Sequence, residues 1–326
     1  VFDIIKIGIG PSSSHTMGPW NAAKMFLDLV KRNHTLQEVK EVFVEFFGSL
    51  AKTGVGHGTD IAGMLGLSGE NFRTIDTNTI DAKIEKIKSE IPNFIFIAEV
   101  YWNLEWDLQQ MGFDYTYDKI LLDRLQYDDA KGVRDHLKAE YDYQVRSLRY
   151  IENHDEIRSI IKFGHNKAKA AAAIITTTIG GQLIFDGQIE GKRTRLPIQL
   201  GREPYEQIDL EIKNFYEKLL HITHDETILY GDFKLLEAES IGYNDFTNIN
   251  IISYIWSYNE HYFWVIINYS DIPSRARIKT NLHTDYSNVI LNDLFNDKTY
   301  TRDANEIKDI GLYVELKPYG MHLFKV

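Results

Sequence analysis

The chain changes character at about Glu90–Ile91, and this break constrains its fold more than any single motif. The first 90 residues hold 10 of the 22 glycines and no tyrosine, whereas all 19 tyrosines lie beyond residue 100. Lys+Arg and Asp+Glu nearly cancel before the break, 10 against 11, and stand at 26 against 36 after it. The net charge of −11 is therefore carried almost wholly by residues 91–326. Each side also carries its own set of reactive side chains, so function has to be read twice. The charged stretch Glu85–Glu90 suits a solvated helix end leading to Pro92. Two separate units, 1–90 and 91–326, are expected, with the junction near Lys88–Pro92.

At 326 residues and 44% hydrophobic content, the chain can bury a sizeable core and is expected to form two or three domains. Its acidic balance, with no Lys/Arg cluster, argues against nucleic acid as a partner. No apolar run approaches the roughly 20 residues that span a bilayer. No signal peptide is visible either, so no membrane partner and a cytoplasmic location are expected. Cysteine is absent, which leaves this chain by itself without disulfides, zinc–thiolate sites or iron–sulfur clusters. No other metal site is read. Val1 stands directly inside a patterned segment, which suggests that a start precedes it.

In the first segment, Val1–Gly10 is apolar and leads into Gly10-Pro11-Ser12-Ser13-Ser14-His15-Thr16-Met17-Gly18-Pro19. Trp20–Arg32 then reads as an amphipathic helix, with Ala22, Ala23, Phe26, Leu29 and Val30 at roughly helical spacing. A Ser/Thr loop before a helix presents hydroxyls and backbone N–H groups together, which suits a carboxylate or phosphate. The same side chains can also serve only as helix caps. Val39–Phe47 alternates as a strand and ends in the loop Gly48–Asp60, where glycines around His57 let backbone approach a small ligand. A lone histidine among glycines is usually a loop residue. Two loops that each set a histidine beside hydroxyls point to a small-ligand site.

Gly10–Pro19 together with Gly48–Asp60 resembles the beta domain of the iron–sulfur L-serine dehydratases, from Val1 to about Glu90. The resemblance implies that Ser12, Ser13, Ser14, His15, Thr16, His57, Thr59 and Asp60 contact the amino acid. It also implies a 4Fe–4S cluster facing that pocket, but only in the complete enzyme, whose cluster-bearing alpha domain has no counterpart here. No cofactor is expected to be held by this chain. Without the cluster as Lewis acid on the serine hydroxyl, elimination lacks its electrophile. This segment alone is not expected to dehydrate serine.

In the second segment, Pro92 opens Asn93-Phe94-Ile95-Phe96-Ile97-Ala98-Glu99-Val100-Tyr101-Trp102, an apolar run of the kind found in buried parallel strands. Glu99 lies at its carboxyl end, where α/β barrels place catalytic groups. A second strand, Leu148–Ile151, ends in Glu152-Asn153-His154-Asp155-Glu156. Lys119–Leu125, Asp129–Lys138 and the alanine-rich Lys167–Thr178 read as helices, and Gln182–Phe185 as a third short strand. This alternation is half of a barrel rhythm. Two carboxylates at strand ends suit glycoside hydrolysis, in which one protonates the leaving oxygen and another stabilises charge at the sugar ring. Glu99 as a mere strand end, and Asn153–Asp155 as a turn opening a helix, account for the same spacing. Tyr101, Trp102, Trp106 and Tyr117 supply ring faces for packing on sugars, though aromatics more often serve a core.

The runs FIFIAEVYWNLEWDLQQMGFDYTYDK, RYIENHDE and FDGQIEGKRTRLPIQLGR resemble the second half of the alpha-amylase superfamily, glycoside hydrolase family thirteen, over roughly Ile91–Val326. The resemblance implies an α-glucan or α-glucoside substrate. It assigns Glu99 as general acid/base, Asp155 as the carboxylate that stabilises the transition state and His154 as a sugar-binding imidazole, with Arg158 and Trp102 as further sugar contacts. The implied architecture is an α/β segment at 1–90, half of a (β/α)8 barrel at 91–226 and an all-β sandwich at 227–326. From Thr227 on, short alternating runs fit that sandwich: Phe233–Glu239, Asn248–Tyr258, Tyr262–Tyr269, Ala276–Thr280, Ser287–Leu291, Gly311–Lys317 and Met321–Val326.

The family's nucleophile, an aspartate in an Arg-x-Asp motif, has no counterpart before Glu99. Phe72-Arg73-Thr74-Ile75-Asp76 has the wrong spacing. Loss of activity toward α-glucans is expected on that ground, as is oligomerisation through the open edges of a half barrel. Three readings follow: a glycosidase or transglycosidase derivative, an L-serine dehydratase fragment, and a non-catalytic product of fusion or misassembly. Nucleotide reads across the codons for Ile87–Phe94 separate a real fusion from misassembly.

Overall fold

The computed structural model describes residues 16–33, 36–39, 41–46, 59–71, 76, 86, 89–90, 95, 97–101, 103–110, 113–196, 202–280, 282 and 284–326. The chain divides into two compact units, Val1–Tyr117 and Asp118–Val326. The strand that leads to Glu99 therefore belongs to the first unit.

In the first unit, helix Gly18–Arg32 starts with proline in its first turn and ends on Lys31 and Arg32, both favourable to the helix dipole. Helix Thr59–Leu67 packs against it. A Cβ added at Gly66 would lie 2.3 Å from the Trp20 carbonyl oxygen, so the close approach of the two helices requires glycine there. Trp20 is buried against Ala62 and Leu65, and its indole N–H donates to the Glu70 carbonyl at 2.9 Å. Only part of the expected apolar stripe is covered, because Met25, Phe26 and Leu29 stay exposed.

The expected strand at Val39–Phe47 is not a strand among the described residues. Residues 41–46 keep its period of two, with Val42, Val44 and Phe46 half-buried and Glu41, Phe43 and Glu45 exposed. Alternation sets which way side chains point, but a strand also needs a hydrogen-bonded neighbour. β1 (Ile97–Ala98) and β2 (Tyr115–Tyr117) do form such a pair, parallel, with Ile97 opposite Tyr115 and Ala98 opposite Thr116. Helix Glu105–Gln110 lies between them in sequence. Met64, Ala98, Val100, Leu108 and Phe113 make the local core.

The second unit opens with helices Lys119–Tyr127, Ala130–Leu137 and Tyr141–Val145, followed by β3 (Ser147–Arg149). Asp118 and Asp129 cap the first two helices, accepting from Leu121 N at 2.9 Å and Gly132 N at 3.0 Å. Helices Ser159–Phe163 and His165–Thr177 lead to β4 (Gly181–Gln182), which pairs parallel with β3. In the longer helix Ala170 through Ile175 have no exposed surface. A helix covered on all sides belongs to the core rather than to a surface. The third expected strand stops at Gln182, two residues into the sheet, although Leu183 N still donates to the Arg149 carbonyl at 2.8 Å. Arg149 is wholly buried and donates to the Asp118 carboxylate, to Gln144 Oε1 and, through Nε at 3.3 Å, to the Ile179 carbonyl.

Helix Leu210–Ile222, absent from the sequence reading, buries Ile212, Phe215, Tyr216, Leu219 and Ile222. After helix Glu226–Tyr230 the chain is mostly β. The strands are β5 (Asp232–Leu235), β6 (Glu237–Glu239), β7 (Ile251–Tyr258), β8 (His261–Asn268), β9 (Ser274–Lys279), β10 (Asn288–Asp293), β11 (Lys298–Asp303), β12 (Leu312–Leu316) and β13 (Met321–Lys325). They build one sheet in the order β11-β10-β13-β8-β7-β5 and another in the order β12-β9-β6, all antiparallel. Ile251, Trp264 and Ile266 from the larger sheet meet Ala276, Ile278 and Val314 from the smaller in one core. The β7–β8 turn carries Asn259 and Glu260 at φ 48° and 67°, the left-handed pair that suits a two-residue hairpin. The run Phe233–Glu239, expected as one strand, divides at buried Leu236 into β5, which pairs with β7, and β6, which pairs with β9. Among the described residues, no helix is long and apolar enough to cross a membrane.

Asp293 is a buried carboxylate between β10 and β13. It accepts from His322 Nδ1 at 2.6 Å and from Asn296 N at 3.2 Å and Nδ2 at 2.7 Å. Burial alone would raise this carboxyl, but the imidazole and amide donors outweigh it and hold Asp293 below the ordinary carboxylate range. A folded value below the unfolded one contributes stability above the unfolded pKa and loses it as pH falls through the folded value. Asp293→Asn is expected to lower the unfolding free energy by about 1–3 kcal/mol at pH 7. Urea titrations at stepped pH should show the gap to the parent protein closing as pH falls below 3.8.

Candidate active site

β3 runs from a buried strand directly into Tyr150, Ile151, Glu152 and Asn153, all buried. The chain then turns outward. Asn153 Oδ1 accepts from the backbone N–H of both Asp155 and Glu156 at 2.9 Å, a side-chain-closed turn that asparagine is suited to make. The turn brings His154 and Asp155 together, with Nε2 and Oδ2 3.4 Å apart. Asp155 is half-exposed and His154 mostly covered, so the carboxylate meets solvent while the imidazole backs it. Arg195 Nη2 stands 3.9 Å from the other Asp155 oxygen.

Glu152 holds this turn from beneath. Its Oε1 accepts from Arg158 Nη1 at 2.8 Å, and its Oε2 accepts from Ser159 N at 2.5 Å, at the start of helix Ser159–Phe163. Arg158 also donates to the Asp186 carbonyl at 2.6 Å and the Thr194 carbonyl at 3.1 Å, and its guanidinium lies 4.9 Å from the Phe185 ring centroid. The sequence reading made Arg158 a sugar contact. In the structure this side chain is buried, and its Nε and Nη1 donate to protein acceptors that tie the 152–158 turn to the 185–194 turn. Glu156, next to the site, pairs with Lys162 and lies 3.7 Å from Lys119.

In the first unit, Glu99 directly follows β1 and is buried. The Tyr101 hydroxyl donates to Glu99 Oε1 at 2.5 Å. Tyr117, one residue beyond the last paired position of β2, is also buried, and its hydroxyl donates to Glu45 Oε1 at 3.4 Å. Burial, reinforced by Glu45 and then Glu99, pushes the Tyr117 phenol well above its ordinary value, so it stays a donor at every working pH. Glu45 was not singled out in the sequence. Its position on the exposed side of an alternating run was the available signal.

Of the residues assigned to an amino-acid pocket, Thr16 and Thr59 are buried, and Asp60 is the second residue of helix Thr59–Leu67. Ser12, Ser13, Ser14, His15 and His57 lie outside the described residues, as does Trp102.

Residues 1–106 match the sequence model of the family described as serine dehydratase beta chain, a span that takes in Glu99. The L-serine dehydratase of Streptomyces coelicolor is 52% identical over 89 residues, covering 27% of this chain and 20% of that enzyme. In fold, the chain is similar to the noncanonic maltogenic alpha-amylase AmyB of Thermotoga neapolitana, with TM-score 0.66 and 14% identity over 93% of this chain and 65% of that one. An Anoxybacillus alpha-amylase matches with TM-score 0.63 and 12% identity over 93% of this chain and 62% of its own. The chain joins a serine-dehydratase-like sequence to an alpha-amylase-like fold. It spans about a fifth of the length of the serine dehydratase it matches and under two thirds of these amylases.

The buried Glu152–Arg158 pair tests how the His154–Asp155 turn is held. Arg158→Leu leaves Glu152 buried without its counter-charge and is expected to destabilise the protein by about 3–5 kcal/mol. The double variant Glu152→Gln/Arg158→Leu should recover part of that loss, measured as urea unfolding midpoints of the parent, the Glu152→Gln and Arg158→Leu single variants and the double variant.

Proposed function

We propose that this chain acts on α-glucosides, with Glu99 as acid/base, Asp155 as the carboxylate that stabilises positive charge at the sugar ring and His154 as a hydrogen-bond partner of a sugar hydroxyl. The observation that carries this reading is the His154–Asp155 pair itself. A half-exposed carboxylate is presented by a turn whose backbone is closed by Asn153 and whose base is held by a buried ion pair. Structural turns seldom need that much support; a charge that has to meet a ligand in one orientation does. The likeness to alpha-amylases in fold supports the substrate class. In this reading residues 91–226 descend from the second half of a barrel, residues 227–326 are the sandwich that follows it, Trp102 stacks on the sugar and Arg158 shapes the loop. Self-association through the open edges of the half barrel is part of the same proposal.

No Arg-x-Asp motif precedes Glu99. A glycosidase without its usual nucleophile loses several orders of magnitude in rate, since the covalent intermediate cannot form in the ordinary way. The purified chain is expected to bind maltoheptaose and to release no detectable reducing sugar from starch. Calorimetry should show the binding weakened about tenfold or more in Asp155→Asn and in His154→Ala, the loss of one charge-assisted hydrogen bond. Binding left untouched by both substitutions would sink the reading.

The 52% identity of the N-terminal segment supports a second reading, in which that segment descends from an L-serine dehydratase. The cluster of the complete enzyme does not fit this chain, which has no cysteine to supply a thiolate. No elimination step is therefore assigned to it, and incubation with L-serine is expected to yield no pyruvate.

A further inference from the structure

Asp155 has a charged neighbour besides His154. Arg195 Nη2 stands 3.9 Å from Asp155 Oδ1, and both side chains are half-exposed. That separation exceeds the roughly 2.7–3.2 Å of an N–H···O hydrogen bond, so neither group satisfies the other. A hydroxyl both donates and accepts, so one placed between them can donate to Oδ1 and accept from Nη2 at once. His154 meanwhile faces the other carboxylate oxygen, at 3.4 Å.

A long, half-exposed cation loses rotamer freedom when it keeps one place, so the backbone beneath it has to be fixed. Residues 192–196 belong to no helix or strand. Side chains from elsewhere in the second unit fix them instead. The Glu206 carboxylate accepts from Arg193 N at 2.8 Å and from Thr194 N at 3.2 Å to Oε1 and 3.3 Å to Oε2. Successive backbone N–H groups that close on one anion form a nest for it. Arg158 Nε donates to the Thr194 carbonyl at 3.1 Å, and Lys192 pairs with Glu203, three residues before Glu206. Asp209 N donates to the Glu190 carbonyl at 3.0 Å, which closes the far end of the strap. Burial alone would raise the Glu206 carboxyl, but the two backbone N–H groups, helped by Arg158, hold it below the ordinary carboxylate range. The nest therefore keeps its anion at neutral pH.

We infer that Arg195 sets affinity at the Asp155 turn by donating to the ligand hydroxyl from which Asp155 accepts, and that Glu206 is the positioning residue that holds it there. The inference rests on the α-glucoside reading proposed above, and every residue it uses lies in the second unit. Two other arginines near the turn are directed elsewhere. Arg193 Nη2 is turned to His165 Nε2 at 3.3 Å, and Arg158 Nη1 donates to Glu152 and to the Asp186 carbonyl. Glu206 acts at one remove. It keeps the backbone of Arg193 and Thr194 in the conformation that directs the next side chain toward Asp155.

Calorimetric titration of the full chain with maltoheptaose tests both roles. Arg195→Gln is expected to weaken binding about tenfold or more, the scale of one charge-assisted hydrogen bond. Its urea unfolding midpoint should stay at the parent value, because the side chain is half-exposed. Arg195→Lys, which keeps the charge, should recover part of the lost affinity. Glu206→Gln should also weaken binding, since the amide nitrogen it introduces cannot accept from a backbone N–H. If Glu206 acts through Arg195, the double variant Glu206→Gln/Arg195→Gln binds no more weakly than Arg195→Gln alone, whereas a purely structural role multiplies the two losses. Multiplied losses, or a Glu206→Gln that binds like the parent, overturn the positioning role. Binding unchanged in Arg195→Gln overturns the inference as a whole, and if Asp155→Asn still weakens binding, the failure is confined to Arg195 and Glu206. No binding by the parent chain, or binding untouched by both Asp155→Asn and His154→Ala, overturns the α-glucoside reading and this inference with it.

Discussion

A cation with no exposed surface organises the α/β part of the second unit. Arg149 sits at the end of β3, and burial pushes its guanidinium down to about 9. An ion so placed is tolerated only when its donors are matched, and each donor here draws in a different piece of chain. Asp118 supplies the countercharge while capping helix Lys119–Tyr127 and accepting from His136 Nε2 at 2.9 Å. Gln144 accepts from Arg149 and donates to the His136 carbonyl at 2.6 Å. The Ile179 carbonyl accepts from Arg149 Nε just before β4. Three helices and two strands are thereby fixed around one charge. The residues after Arg149 leave that fixed point directly for the Glu152–Asp155 turn.

Much of this arrangement could be read from the chain. Strand followed by ionisable cluster located the turn at Glu152–Asp155, and the helices read at 20–32, 119–125, 129–138 and 167–178 lie within two residues of those found. The sandwich was legible from short alternating runs, since buried and more exposed residues alternate along β9, β10 and β12. The failures have physical causes. Helix Leu210–Ile222 carries a plain 3–4 spacing in Ile212, Phe215, Tyr216, Leu219 and Ile222, a period that by itself marks an amphipathic helix. β11, Lys-Thr-Tyr-Thr-Arg-Asp, is an edge strand with scarcely an apolar residue, so periodicity had nothing to register. The protein acceptors of Arg158 were likewise not legible. Which way a long cation turns depends on the acceptors within reach, and Glu152, Asp186 and Thr194 come together only in three dimensions.

The two resemblances concern different levels of description. The dehydratase likeness is one of sequence, at 52% identity over 89 residues, and the amylase likeness is one of shape, at 14% identity. Close packing tolerates wide substitution if volume and pattern are kept, so shape outlasts sequence. Chemistry tolerates less. A carboxylate matters only at a given place relative to its partner, as Glu99 stands beside the Tyr101 hydroxyl.

The division of the Phe233–Glu239 run at Leu236 reaches beyond local geometry. β5 completes the edge of the six-stranded sheet and β6 the edge of the three-stranded one, with a single buried residue between them. Neither sheet can shed this segment without disturbing the other, because one residue is too short a tether to let the halves part. The sandwich is therefore wired as a single cooperative unit of opening. Amide protons on β7 and β9, the respective partners of β5 and β6, should share one exchange regime although they belong to different sheets.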